Sequence, residues 1–176
     1  MNPMTRTRTL GFGLALLIFV VDQAMKAWVV DGLGINQVGK SLEVVSFFDL
    51  RFVANIGVSL GLLAAETDTM RWLLVALTGL IAGGVAWWMV REKNRADLFA
   101  LALVLGGALG NIVDRVRFGY VVDYADLHFG EWRPFLVFNV ADAAITIGVL
   151  ILLIRALFVR DKKPAETAAP VENANA

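Results

Sequence analysis

The stretch FNVADAAITIGVLILLI, residues 138–154, is apolar enough to lie in a lipid bilayer, yet it carries Asn139 and Asp142 near its start. An aspartate at the middle of a membrane span costs about 2.5–3.5 kcal/mol on insertion scales, and less near an end. No other charge in this stretch offsets that of Asp142. We therefore consider Asp142 a candidate functional residue, whose polar partners must come from elsewhere in the chain.

The composition around this stretch indicates a membrane protein. The chain has 176 residues, of which 58% are hydrophobic, and its mean hydropathy is +0.67. A net charge of zero does not favour a nucleic-acid partner, and we expect none. There is no cysteine and only one histidine, His128, which excludes a thiolate nucleophile and makes a multi-histidine metal site improbable. We expect no metal or other cofactor, and the sixteen acidic residues make carboxylate chemistry the natural expectation.

Hydropathy predicts four membrane spans, each of which needs about 20 mostly apolar residues. They cover about 10–30, 70–90, 98–114 and 135–159. The fourth range places Asp142 about two turns inside its span. We interpret the first span as a retained anchor, because no small-x-small cleavage site follows LLIFVV. The spans form one domain, 1–160, and the tail 161–176, rich in Ala, Pro and Glu, is expected to be disordered.

Basic residues predict the direction of the spans. Arginines and lysines flank the start of span one, the connection between spans two and three, and the end of span four. Four spans place these three clusters on one side, which the positive-inside rule assigns to the cytoplasm, together with both termini. The segments 31–69 and 115–134 then lie on the opposite side.

Two of these outer segments contain strand-like patterns. LEVVSFFDLRFVAN, 42–55, contains a short polar/apolar alternation over residues 49–52, and GYVVDYADLHF, 119–129, is rich in β-branched and aromatic residues. The predicted fold is therefore an all-α membrane protein with four transmembrane helices and a small β-sheet on its non-cytoplasmic face. The edge of such a sheet could bind an extended peptide.

Polar residues of the spans gather toward this outer boundary. Asp22 and Lys26 are four residues apart near the end of span one, so they share a helical face and can pair. Two further pairs, each an amide and a carboxylate three residues apart, are Asn111 with Asp114 and Asn139 with Asp142. The spacing puts each pair on one helical face at a similar depth.

The residues alone leave structural roles open for this cluster. Asp22 and Lys26 could be only a neutralised, snorkelling pair, and Asp114 could form an ion pair with its neighbour Arg115. The asparagines could merely join helices by hydrogen bonds. Asp123, in the segment after span three, could be a structural or solvated loop residue. The GxxxG pattern of GGALG, 106–110, would let span three approach a neighbouring helix closely.

Four blocks of the chain together resemble the lipoprotein signal peptidases, the signal peptidase II family. The most specific blocks are GGALGNIVDRVRFGYVVDY, 106–124, and FNVADAAITIG, 138–148. VDQAMK, 21–26, and FVANIGVSLG, 52–61, resemble two weaker blocks in the same order. Members of this family are aspartic peptidases of the bacterial inner membrane. The resemblance departs at Leu60, where the family usually has an aromatic residue.

The resemblance implies a function and a set of site residues. The reaction would be removal of the signal peptide from a prolipoprotein, before a cysteine that carries diacylglycerol, by a monomer whose active site faces the periplasm. Asp123 and Asp142 would be the catalytic pair, and we expect Asp142, at the low-dielectric boundary, to hold their shared proton. The implied supporting residues are Asn55, Gly57, Asn111, Asp114, Arg115 and Asn139, with Asp22 and Lys26 serving both the fold and the site.

Three other activities stay open from the sequence. Ser59 and Lys26 could form a serine–lysine peptidase, since a buried lysine can activate a serine. Membrane carboxylates could relay protons in a small transporter, although these polar groups cluster on one side of the bilayer. A Mg²⁺-dependent phosphotransferase would need aspartate-rich clusters that we do not find in the sequence.

Overall fold

A computed structural model describes residues 3–57 and 67–158 of the chain. Its helices are α1 (Pro3–Ala27), which continues into a π-helical turn at Trp28–Gly32, α2 (Asp68–Arg91), α3 (Arg95–Phe118) and α4 (Val140–Phe158). Four helices in the described part of the chain are long and apolar enough to cross a membrane. The four predicted spans are therefore confirmed, with shifted ends.

Local hydrogen bonds and backbone conformation explain why the ends of α3 and the start of α4 differ from the predicted spans. The Asn94 side chain accepts hydrogen bonds from the amides of Ala96 and Asp97, so α3 starts before its apolar run. Gly119, with a φ of +86°, ends α3 in the left-handed conformation that glycine adopts without strain. The predicted start of the fourth span at 135 is wrong, because Phe138 is extended and pairs with Ala125 of a strand.

The predicted outer sheet is present and has three antiparallel strands in the order β1–β2–β3. They are β1 (Ser41–Val45), β2 (Phe48–Asn55) and β3 (Val121–Leu127). Asp123 lies in β3 opposite Val53, so its interpretation as a loop residue is wrong. Since β1 and β2 connect α1 to α2, and β3 connects α3 to α4, the sheet lies at one end of the bundle.

Helix α3 is the centre of the bundle and contacts the other three helices. Its glycines permit this, as the GxxxG pattern predicts. A Cβ at Gly106 would come within 2.5 Å of the Ala15 carbonyl oxygen on α1, and one at Gly107 would clash with the Ala141 carbonyl on α4. Close packing of α3 therefore brings the polar end of α1 and the start of α4 together.

A second apolar cluster fixes the sheet to the bundle. Val29 in the π-helical turn packs with Leu50, Phe52, Val122 and Tyr124, all buried side chains of the sheet. The inner faces of β2 and β3 are thus held against the end of α1, which sets the height of Asp123 above the helices.

Three predictions lie outside the described residues. They concern Ser59, Leu60 and the tail 161–176. The extent of the single domain, 1–160, also stays a prediction.

Candidate active site

Asp123 and Asp142 meet through one shared residue, Asn139. The Asn139 side-chain amide donates a 2.6 Å hydrogen bond to Asp123 Oδ1, and its backbone amide donates to Asp142 Oδ2 at 3.3 Å. Asp123 is 2% exposed, and Asp142 is half-buried. The structure therefore brings together the two carboxylates that the sequence singled out.

Asp142 is shallower than the sequence suggested. It lies in the first turn of α4, where its backbone amide donates to Asn139 Oδ1 at 2.8 Å while its carboxylate accepts from the Asn139 backbone. This reciprocal pair is a capping box, with Asn139 just before the helix rather than on a shared helical face. The expectation of a carboxylate two turns inside the span is wrong, and the positive end of the helix dipole favours the charge where it actually lies.

The remaining oxygens of the two carboxylates are also held by side-chain amides. Asn55 Nδ2 donates to Asp123 Oδ2 at 2.9 Å, and Asn111 Nδ2 donates to Asp142 Oδ1 at 2.8 Å. Each of the four oxygens thus accepts one amide hydrogen bond. These bonds fix the orientation of both groups and leave acceptor capacity for a proton or a water molecule.

The environment of Asp123 favours its protonated form. Burial, followed by the negative charge of Asp142, raises the pKa of Asp123 to about 7. Hydrogen bonds from Asn55 and Asn139 and the charge of Lys26 oppose the rise. Asp123 is the more deeply buried of the two carboxylates, and which of them holds the shared proton stays a prediction.

Lys26 balances the charge behind the two aspartates. Its ammonium lies 2.8 Å from Asp22 Oδ2 and 2.8 Å from Asp114 Oδ2, and it donates to Asn111 Oδ1 at 3.3 Å. The predicted Asp22–Lys26 pairing is confirmed. The snorkelling interpretation is wrong, because Lys26 is only 4% exposed and points to buried partners.

Asp114 has a different partner from the one its sequence neighbour suggests. Besides Lys26, its carboxylate accepts hydrogen bonds from the Val122 backbone amide at 3.1 Å and from Gln23 Nε2 at 2.9 Å. Asp114 therefore joins α1, α3 and β3, and the alternative of a local ion pair with Arg115 is not what the contacts show. Gln23 was not predicted, although it directly follows Asp22.

Arg115 is directed toward the end of β2. Its guanidinium donates to the Gly57 carbonyl at 3.0 Å and to the Asn111 carbonyl at 3.4 Å. The Gly57 amide in turn donates to Asn55 Oδ1 at 3.1 Å. With these contacts, every predicted site residue belongs to one hydrogen-bonded network that includes both aspartates.

A cleft of about 870 Å³ lies against this network. Asp123, Asp142, Asn55 and Arg115 line its polar part. Its apolar part is lined by residues of the spans, among them Ile81 of α2, Val104 and Ala108 of α3, and Ile145 of α4. The cleft thus extends from the sheet to the membrane-spanning level. Within 3–57 and 67–158, no group of three or more acidic, histidine or cysteine residues could hold a metal ion.

Known proteins are similar to this chain in sequence and in fold. The sequence model of the family described as signal peptidase (SPase) II matches residues 14–158. A lipoprotein signal peptidase of Rhizorhabdus wittichii is 54% identical over 169 residues, which cover 96% of this chain and 95% of the relative. That of Sphingopyxis alaskensis is 54% identical over 167 residues, covering 94% and 96%. That of Vibrio cholerae is 33% identical over 156 residues, covering 88% and 90%.

Solved structures of bacterial membrane enzymes agree with the sequence comparison. One superposes with a TM-score of 0.74 at 26% identity and covers 89% of this chain and 94% of its own. Another has a TM-score of 0.73 at 27% identity and covers 86% and 95%. Since the family match spans most of the four-helix chain, this multi-pass membrane protein belongs to the signal peptidase II family of proteases.

Proposed function

We propose that this protein removes signal peptides from diacylglyceryl-modified prolipoproteins, cutting just before the lipidated cysteine, with Asp123 and Asp142 as the catalytic pair. The observation that carries the proposal is the hydrogen bonding of these carboxylates: both are held by Asn139 at the polar end of a cleft that reaches the membrane-spanning level. The family relation supports a lipoprotein precursor as the substrate.

Two neighbouring carboxylates can supply both the base and the acid that peptide hydrolysis needs. They do not both ionise readily at short range, so they share one proton. Asp142, as carboxylate, takes a proton from the attacking water, while Asp123, as acid, gives its proton to the carbonyl oxygen. When the tetrahedral intermediate collapses, Asp142 passes its proton to the leaving amine, and Asp123 recovers one from the former carbonyl oxygen. The pair titrates as a unit, so these roles describe its reactive arrangement.

The cleft suits a substrate that is half peptide and half lipid. The acyl chains would lie between the apolar side chains at the level of the spans, such as Ile81 and Ile145, and their burial would hold the scissile bond at the membrane surface. The carboxylates lie at the sheet end of the bundle, opposite the basic residues Arg91, Lys93 and Arg95 where α2 ends and α3 begins. We place this protein in the bacterial inner membrane as a monomer, with both termini in the cytoplasm and this end facing the periplasm.

Incubation of the purified protein with lipidated and unlipidated forms of one precursor peptide tests the proposal. We expect cleavage of the lipidated peptide alone, before its cysteine, and insensitivity to a chelator. Asp123→Asn and Asp142→Asn should each abolish cleavage in a folded protein. Asp31→Asn, at an exposed aspartate near the same end of the bundle, is the matched control and should cleave normally. Near-parental cleavage by either catalytic variant would show that the assignment is wrong.

The contacts of Lys26 bear on the serine–lysine alternative. Its ammonium forms ion pairs with the buried carboxylates of Asp22 and Asp114, whereas the general base of that mechanism is a neutral amine that contacts the serine. Ser59→Ala distinguishes the two mechanisms, because only the alternative needs that hydroxyl. Proton flux in reconstituted vesicles without peptide cleavage would instead support a transporter.

A further inference from the structure

Arg71, near the start of α2, binds the last turn of α3. Its Nε donates to the Arg115 carbonyl at 2.8 Å and its Nη2 to the Val116 carbonyl at 2.6 Å. Carbonyls at a helix C-terminus have no partner within the helix, and a positive charge there also suits the helix dipole. The Gly119 amide donates to the same Arg115 carbonyl at 3.1 Å. Arg71 is therefore part of the structure that ends α3 and starts the connection to β3.

A continuous set of contacts leads from this helix end to Asp123. The Arg115 guanidinium donates to the Gly57 carbonyl, and the Gly57 amide donates to Asn55 Oδ1. Asn55 Nδ2 then donates to Asp123 Oδ2. We call these three residues, Arg115, Gly57 and Asn55, the Arg115 relay.

We propose that Arg71 is a positioning residue for the proposed cleavage: by fixing the end of α3, it holds the Arg115 relay and so the orientation of the Asp123 carboxylate. The inference rests on the proposed function, although Arg71 itself touches neither carboxylate. Arg71 lies outside the residue set implied by the family resemblance, and the geometry of its two hydrogen bonds is the observation that singles it out.

Loss of Arg71 should change the chemistry at Asp123 and leave the other supports intact. The charged groups around Asp123 are Asp142 of α4, Lys26 of α1 and Arg115 of α3. Its other amide donor, Asn139, belongs to the cap of α4, and the side-chain hydrogen bonds that Asn139 forms within the described residues go to Asp123, Asp142, Asn111 and Val122 rather than to the relay. A displaced Asn55 would remove one hydrogen bond from the charged form of Asp123, and its pKa would rise.

The test compares cleavage of the lipidated precursor by the parent, Arg71→Met, Arg71→Lys and Asp68→Asn. We expect Arg71→Met to lower kcat about tenfold, as the loss of a charge-assisted hydrogen bond would, with little change in KM. The pH profile of kcat should shift to higher pH. Arg71→Lys, which keeps the charge but not the forked pair of donors, should restore part of the rate. Asp68→Asn, which removes only an exposed partner 3.7 Å from Arg71, should behave like the parent.

A double-mutant comparison separates positioning from simple helix capping. If Arg71 acts through Asn55, the double variant Arg71→Met/Asn55→Ala should have about the same kcat as Asn55→Ala alone. In the double variant Arg71→Met/Asn139→Ala, the two losses of kcat should multiply. The inference would be overturned if Arg71→Met had a lower melting temperature but a parental kcat and pH profile. It would also be overturned if the losses of kcat from Arg71→Met and Asn55→Ala multiplied in the double variant.

One measurement of the relay does not need the cleavage reaction. A parent protein that leaves the lipidated precursor uncut would contradict the proposed function. The Asp123 pKa, followed by carboxyl carbon NMR in the parent and in Arg71→Met, still tests the relay in that case. An unchanged pKa overturns the inference, and a raised pKa supports it.

Discussion

Asn139 donates a 2.6 Å hydrogen bond to Asp123, and this contact joins the cap of a membrane helix to a strand of the outer sheet. A hydrogen bond thus connects the helix bundle to the sheet at the point where the two proposed catalytic carboxylates meet. Their relative position depends on this amide side chain as well as on the packing of α3.

Replacement of Asn139 by alanine should affect both activity and stability. The variant loses its bond to Asp123 and its cap of α4, so we expect cleavage to fall by about 10–100-fold and stability to fall by about 1 kcal/mol. Asn111→Ala removes the donor to Asp142 and an acceptor for the Asn139 side chain, but it leaves the two cap bonds between Asn139 and Asp142, so it should lose activity with a smaller effect on the start of α4. Cleavage assays and thermal unfolding in detergent distinguish the two variants. Parental activity in Asn139→Ala would remove its orienting role.

The rate should fall as the pH rises through neutrality. The proposed mechanism needs a proton on Asp123, whose pKa is raised to about 7, so deprotonation above this value removes the acid. Asp142→Asn deletes the negative charge that helps raise this pKa, and the Asp123 pKa should therefore fall in that variant. Rate profiles of the parent and carboxyl NMR of the variant provide the measurements. A rate that stays constant to pH 9 would contradict the assigned role.

Loss of the Lys26 ammonium should destabilise the fold more than any exposed lysine change. Lys26→Met leaves Asp22 and Asp114 buried without a counter-charge, for which a loss of about 3–5 kcal/mol is typical. Lys93→Met, at an exposed position, is the matched control and should unfold like the parent. Adding Asp22→Asn to Lys26→Met should recover part of the loss. Equal melting temperatures for Lys26→Met and Lys93→Met would show that the buried pairing contributes little.

Glycine-to-alanine changes test the close packing of α3. Gly107→Ala should force α3 and α4 apart, with a loss of about 1–3 kcal/mol from overpacking and a larger loss of cleavage. Gly83→Ala in α2 adds the same methyl group where no atom lies within 4 Å, so it should be neutral or stabilising. Unfolding and cleavage measured side by side give the comparison. Identical behaviour of the two variants would contradict the packing argument.

Hydropathy and strand patterns predicted the four helices and the sheet because both depend on local composition. The start of α4 was missed because residues 135–138 are apolar whether they are helical or extended, and hydropathy does not distinguish these conformations. A capping signal was visible nonetheless: Asn139 stands three residues before Asp142, ahead of a long apolar run.

The contacts between distant parts of the chain could not be read from periodicity. Lys26 and Asp114 are far apart in sequence, and their ion pair requires the packing of α1 on α3. The family resemblance identified these residues, whereas spacing alone identified only local pairs. Neither residue spacing nor the family resemblance identified Arg71, since an arginine at the start of a span is also typical of a membrane boundary.

The reciprocal hydrogen bonds between Asn139 and Asp142 decide which inactive variant is suited to binding an uncleaved lipoprotein precursor. The cap of α4 and the proposed proton transfer use the same carboxylate, so an alanine at this position would remove a capping hydrogen bond along with the proposed base. An asparagine keeps an oxygen that can accept the backbone amide while abolishing acidity. Inactive protein meant for trapping a bound lipoprotein, or for screening inhibitors against an undisturbed cavity, should therefore carry Asp142→Asn.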